Sequence, residues 1–213
     1  MRIIRMTTNK TKSKKRGFTL IELMVVLVIF VALTGIMISS QSKFDGTILL
    51  NNLAYDIALS IRETQTYGIN VKEFATSTGP SIFAGYGVRF DPDPMIGDPT
   101  HYILFSDVNN NHFFDGDTLC PKNDSECVKK YALTRGSYIK SICVGSDEGN
   151  CSIPSGINSD KSLQITFKRP NPDATIIIGS EATRYQFAKI IISSANQVTT
   201  SIVVTALGQI YVQ

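Results

Sequence analysis

Residues 14–23 read KKRGFTLIEL, and the fifteen that follow, MVVLVIFVALTGIMI, carry no charge. A single carboxylate, Glu22, therefore sits near the start of a run from Phe18 to Ile38 that is interrupted otherwise only by Thr19, Thr34 and Gly35. Those 21 residues are enough to cross a hydrocarbon core of about 30 Å as a helix. Of the 21 Lys and Arg residues, seven lie before Gly17 (Arg2, Arg5, Lys10, Lys12, Lys14, Lys15, Arg16) with no acid among them. The other 14 face 18 Asp and Glu, so the net +3 becomes −4 without that leader. The positive-inside rule puts the leader on the cytoplasmic side of the membrane. The same imbalance argues against a nucleic-acid footprint, which needs its basic residues on the folded part.

A secretory signal peptide would have an apolar region of roughly 7–15 residues ending at an A-x-A-like site. This run is longer, and Ile38-Ser39-Ser40 matches that site poorly. An unprocessed signal anchor remains open. Glu22 argues for more, because a carboxylate inside the bilayer costs roughly 2.5–3.5 kcal/mol on insertion scales and normally has a partner. No Lys or Arg lies between Phe18 and Ser42. Cleavage between Gly17 and Phe18 would create one, an α-amine four residues from Glu22, one helical turn away.

KKRGFTLIELMVVLVIFVAL closely resembles the class III signal of type IV pilins and type II secretion pseudopilins: a basic leader ending in Gly, cleavage before Phe, Glu as the fifth mature residue, then the apolar helix. The resemblance covers about the first 40 residues. It implies that a prepilin peptidase cuts after Gly17 and that Phe18 becomes N-methylated. It also implies that Glu22 pairs with the terminal amine of a neighbouring subunit during filament assembly on an inner-membrane platform. Residues 1–17 are then the leader, 18–67 a long helix whose first half, 18–38, spans the membrane, and 68–213 an extracytoplasmic head.

The helix is expected to continue past the membrane. Leu50, Ala54, Ile57 and Ile61 recur at helical spacing, with Leu53 and Ala58 widening the stripe. Gly68 is the expected C-terminal stop, and Asp45-Gly46 a weak point within the helix. Ile48, Tyr55 and Leu59 project to the opposite side, either available to neighbours or simply scattered surface residues.

Beyond Gly68 the pattern becomes extended. Segments 82–90, 101–106, 129–133, 137–144, 162–168, 174–179, 187–194, 201–206 and 209–213 are rich in Ile, Val, Tyr and Phe and bounded by Gly, Pro, Asn and Asp. The expected class is α+β, a long N-terminal helix with a mostly antiparallel β head. Residues 91–99, DPDPMIGDP, form a Pro-stiffened loop. YGVRF after the helix and the closing ALGQIYV resemble the H-type minor pseudopilins and related minor pilins.

Four cysteines, Cys120, Cys127, Cys143 and Cys151, all lie in the head, where an extracytoplasmic compartment suits disulfides. Their spacings are not those of zinc knuckles. Local pairing, Cys120–Cys127 and Cys143–Cys151, is favoured because it staples two loops without demanding long-range register; free thiols remain possible in a reducing compartment.

The other chemical cluster is DVNNNHFFDGD, residues 107–117. Asp107, Asn109, Asn111 and Asp115 occupy positions 1, 3, 5 and 9 of an EF-hand-like calcium loop, with a carbonyl from Phe113 at position 7. Two features depart from that pattern: His112 replaces the glycine of position 6, and Thr118 stands at position 12, though Asp117 is adjacent. An Asx-rich turn without an ion explains the same residues.

Neither histidine, His101 or His112, stands near a recognisable nucleophile motif, and no H-E-x-x-H or phosphate-binding Gly loop is present. The sequence points away from an enzyme. The resemblance implies a membrane-held subunit whose partners are other pilin-like subunits, the prepilin peptidase and the assembly platform. The alternative is a DNA-binding minor pilin for natural transformation, which needs a basic patch on the head. The best local cluster is Lys168-Arg169, and the last segment QIYVQ has no basic residue.

Overall fold

The computed structural model of the chain describes residues 17–70, 84–95, 97–116, 120, 126–154, 161–180 and 183–213, without the side chains of 39–45. The leader up to Arg16 and Asp117 therefore lie outside the described residues. The chain forms two compact units, Met1–Ser42 and Lys43–Gln213. Its class is α+β: helix α1, Leu20–Ile69, is followed by strands β1 (Gly85–Phe90), β2 (His101–Asp107), β3 (Cys127–Ala132), β4 (Tyr138–Gly145), β5 (Cys151–Ser152), β6 (Leu163–Phe167), β7 (Ala174–Ile178), β8 (Phe187–Ser193), β9 (Thr199–Thr205) and β10 (Ile210–Val212).

Helix α1 is 50 residues long and stays helical through Asp45 and Gly46, so the expected weak point is not a break. Nor does it stop at Gly68. A Cβ at Gly68 would overlap the main-chain carbonyl of Phe167, and the Gly68 carbonyl accepts the Arg169 N–H at 3.3 Å. The missing side chain here permits close packing of the last helical turn on β6, rather than helix termination.

In the unit Lys43–Gln213, the strands form two antiparallel sheets, ordered β3-β2-β1-β6-β7 and β10-β9-β8-β4-β5. The predicted helical stripe is the face that meets them: Leu50, Ala54, Ile57, Ala58 and Ile61 share one core with Val88, Phe90, Leu163, Ile165 and Phe167 of the first sheet and Ile142, Ile190, Ile202 and Val204 of the second. Each fully buried Leu or Ile of that stripe contributes about 1.5–3 kcal/mol. Ile48, Tyr55 and Leu59 are exposed on the other side of the helix.

The first sheet does not show the alternation of a half-buried sheet: β6 is buried at every position and β2 at all but the first. Its outer face is covered too. Ile103 and Phe105 of β2 pack there with Phe114, Cys120 and Cys127 in a second, smaller core. From the segment after β2, Phe114 and Cys120 supply this second layer. The two-residue strand β5 has no counterpart among the expected segments, since so short a strand has no period to read.

Candidate functional site

Gly17, Phe18 and Thr19 precede α1. Thr19 is its N-cap: Thr19 Oγ1 accepts the Glu22 N–H at 3.3 Å, and the same hydroxyl donates to Glu22 Oε2 at 3.5 Å. Thr19-Leu20-Ile21-Glu22 thus has the spacing of a capping box, in which the carboxylate three residues into the helix also favours the positive end of the helix dipole. This local role of Glu22 was readable as T-x-x-E ahead of an apolar run. Leu20–Ile38 is long and apolar enough to cross a membrane, and none of it is buried in the structure. Its one interior hydroxyl, Thr34, donates to the carbonyls of Phe30 at 2.8 Å and Val31 at 3.1 Å. No polar side-chain donor in this stretch is therefore left to lipid without a partner.

The second cluster is the loop that leaves β2. Asp107, its first residue, is 1% exposed. Its Oδ2 accepts the His112 N–H at 3.2 Å, whereas its Oδ1 accepts no hydrogen bond. Asn109 Oδ1 accepts the Asn111 N–H at 3.1 Å and Asn111 Oδ1 the Phe113 N–H at 2.8 Å. Both amide groups donate to Asp115 Oδ2 at 2.6 Å. Asn110 and His112, positions 4 and 6, are left-handed at φ 61° and 67°, which is how a non-glycine residue comes to stand at position 6. The loop is pinned to β6 by Phe114 N–H to Gln164 Oε1 at 2.6 Å and by His112 Nδ1 with Thr166 Oγ1 at 2.9 Å. Lys168 Nζ donates to Asn110 Oδ1 at 2.7 Å.

A residue outside the spaced set closes the loop. Glu126, just before β3, is buried; its Oε1 accepts the Val108 N–H at 2.9 Å and its Oε2 the Asp115 N–H at 3.0 Å, tying the loop's start to its end. The antiparallel pairing of β2 with β3 brings it there, since the Ser106 N–H also donates to the Glu126 main-chain carbonyl at 2.7 Å. Burial pushes the Asp107 and Glu126 carboxyls above their ordinary range and His112 below its own, with the two N–H bonds opposing the shift at Glu126. Among the described residues, no three His, Cys, Asp or Glu side chains form a ready metal-ligating group. Phe113 is half-buried in this loop, and Asp117 lies outside the described residues.

Disulfides join Cys120 to Cys127 and Cys143 to Cys151, with Cα separations of 5.7 and 5.5 Å, inside the usual range. The first lies in the outer core beside the loop; the second ties β4 to β5.

Compared with known families, residues 12–38 match the prokaryotic N-terminal methylation motif. No curated protein and no solved structure matches the chain. The matched segment contains the Gly17-Phe18 junction, the capped Glu22 and the whole uncovered apolar stretch: residues 12–38 are a class III prepilin signal, the N-terminal segment of type IV pilins and pseudopilins.

Proposed function

We propose that the chain is a minor pilin-like subunit of a type IV pilus or a type II secretion pseudopilus. Prepilin peptidase removes residues 1–17, Phe18 is N-methylated, and the subunit waits in the inner membrane with its N-terminus cytoplasmic and its head outside. It is then drawn into the filament through α1. The observation that carries this reading is the meeting of three features in one matched segment: the Gly17-Phe18 junction, Glu22, and the 19-residue, largely apolar stretch Leu20–Ile38, none of which is buried within the chain. The uncovered helix needs lipid first and neighbouring helices afterwards. Minor status is supported by the resemblance of YGVRF, now seen in β1, and ALGQIYV, ending in β10, to the H-type minor pseudopilins. The partners are other pilin-like subunits, the peptidase and the assembly platform, and the function is structural rather than enzymatic. The −4 balance after the leader and the engagement of Lys168 by Asn110 weigh against DNA binding.

Co-expression with a prepilin peptidase tests the reading. The wild-type chain should lose residues 1–17 and gain a methyl group on Phe18, and Gly17→Val should remain uncut. An intact Met1 terminus on assembled wild-type protein, read by mass spectrometry, would overturn it.

A further inference from the structure

We propose that the loop from Asp107 to Asp115 binds one calcium ion, and that Glu126 completes its ligand set. This inference concerns the head alone and does not rest on the pilin reading.

Two acids of the site are buried, Asp107 at 1% and Glu126 at 8% exposure. A buried charge is tolerated only when it is paired or coordinated. Glu126 is held by two N–H groups. At Asp107 the His112 N–H donates to Oδ2 and the Asn111 N–H also favours the carboxylate, but the enclosed Oδ1 has no hydrogen-bond partner. His112 Nδ1 lies 3.7 Å from Oδ2 and is itself bonded to Thr166, and Lys168 is spent on Asn110. An unpartnered anionic oxygen on a loop that also carries the side-chain oxygens of Asn109, Asn111 and Asp115 fits a hard cation.

The donor count also fits calcium, which takes six to eight oxygens at about 2.3–2.6 Å. Asp107 Oδ1 is free. The carbonyl oxygens of Asn109 and Asn111 each accept one N–H and retain a second lone pair. Asp115 supplies a carboxylate, Phe113 a main-chain carbonyl at position 7, and a water fills the exposed side. The residue missing from this loop is the position-12 glutamate. Glu126 supplies that carboxylate from outside the loop, since each of its oxygens accepts a single N–H and has lone pairs to spare. Binding exchanges the two amide hydrogen bonds on Asp115 Oδ2 for bonds to the ion, so the loop is self-consistent without calcium and tighter with it. That exchange keeps affinity modest, on the order of 10⁻⁴–10⁻³ M as in extracellular modules.

The test uses the full chain in detergent micelles, with equilibrium dialysis against radioactive calcium and thermal melting in chelator or in 5–10 mM calcium, roughly ten times the expected dissociation constant. One ion per chain and a rise of several degrees in Tm are expected for the wild type. Asp115→Asn, an exposed side chain whose change leaves the core intact, should lose at least tenfold in affinity, and Asp107→Asn should lose binding. Wild-type protein that takes up no calcium would overturn the proposal and leave a self-satisfied Asx turn. Undiminished binding by folded Asp115→Asn would overturn it as well, by placing the ion elsewhere, even if Asp107→Asn does not fold.

Discussion

Gly68 lies against the Phe167 main-chain carbonyl so closely that a methyl group on Gly68 would overlap it. The next link of the chain is also held there, by the Arg169 N–H on the Gly68 carbonyl at 3.3 Å. Helix propensity and packing therefore oppose each other at this residue. Gly68→Ala gains about 1 kcal/mol of helix propensity and meets an overpacking cost of about 1–3 kcal/mol, imposed by backbone that cannot rotate away. Net destabilisation of about 0–2 kcal/mol is expected from urea unfolding. An Ala variant more stable than wild type would mean that β6 yields to the helix.

Glu22 combines two roles that substitution can separate. Its part in the N-terminal cap is one that glutamine can also perform, whereas pairing with a neighbour's terminal amine requires the charge. Glu22→Ala and Glu22→Gln should both insert into the membrane at least as well as wild type, because an expensive group is gone. Both should enter filaments poorly, as read by shearing and immunoblotting. Normal incorporation of the Gln variant alone would assign Glu22 to capping.

Tyr102 gives the head an alkaline limit. Burial pushes its phenol up to about 12, against the opposing hydrogen bond with Ser60 at 2.9 Å. Its folded value lies above the unfolded one, so the stabilisation is fully present below pH 10 and is lost as pH rises from about 10 to 12. The full loss is roughly 2–3 kcal/mol. Tyr102→Phe should cost about 1 kcal/mol at pH 8, yet fall less steeply in stability between pH 10 and 12. Urea melts of both proteins at the two ends of that window check the crossing slopes.

The two disulfides should differ in what their removal costs. Each closes a short loop, with sequence separations of 7 and 8, worth roughly 2–3 kcal/mol on the chain-entropy estimate. Cys143 and Cys151 join β5 to β4 near the surface, so their double Ser variant should lose about that amount. Cys120 and Cys127 also pack with Ile103, Phe105 and Phe114, so their Ser variant should lose more, by burying two hydroxyls in that core. Non-reducing peptide mapping should recover both local crosslinks from the native protein.

The membrane-length run, the anomaly of Glu22, the helical stripe at Leu50, Ala54, Ile57 and Ile61 and nine of the ten strands among the described residues were legible in the sequence, because each is a matter of local periodicity, and period survives without knowledge of neighbours. The spacing of Asp107, Asn109, Asn111 and Asp115 was legible for the same reason. Glu126 was not: it reaches the loop because β2 and β3 pair with a register shift between Leu104 and Phe105, and register depends on which faces are buried. The covered outer face of the first sheet and the fit of Gly68 against Phe167 were likewise decided by the tertiary structure. The sequence determined which segments must leave water, and the packing of helix, sheets and loop decided what each meets there: for Asp107, a buried oxygen without a partner.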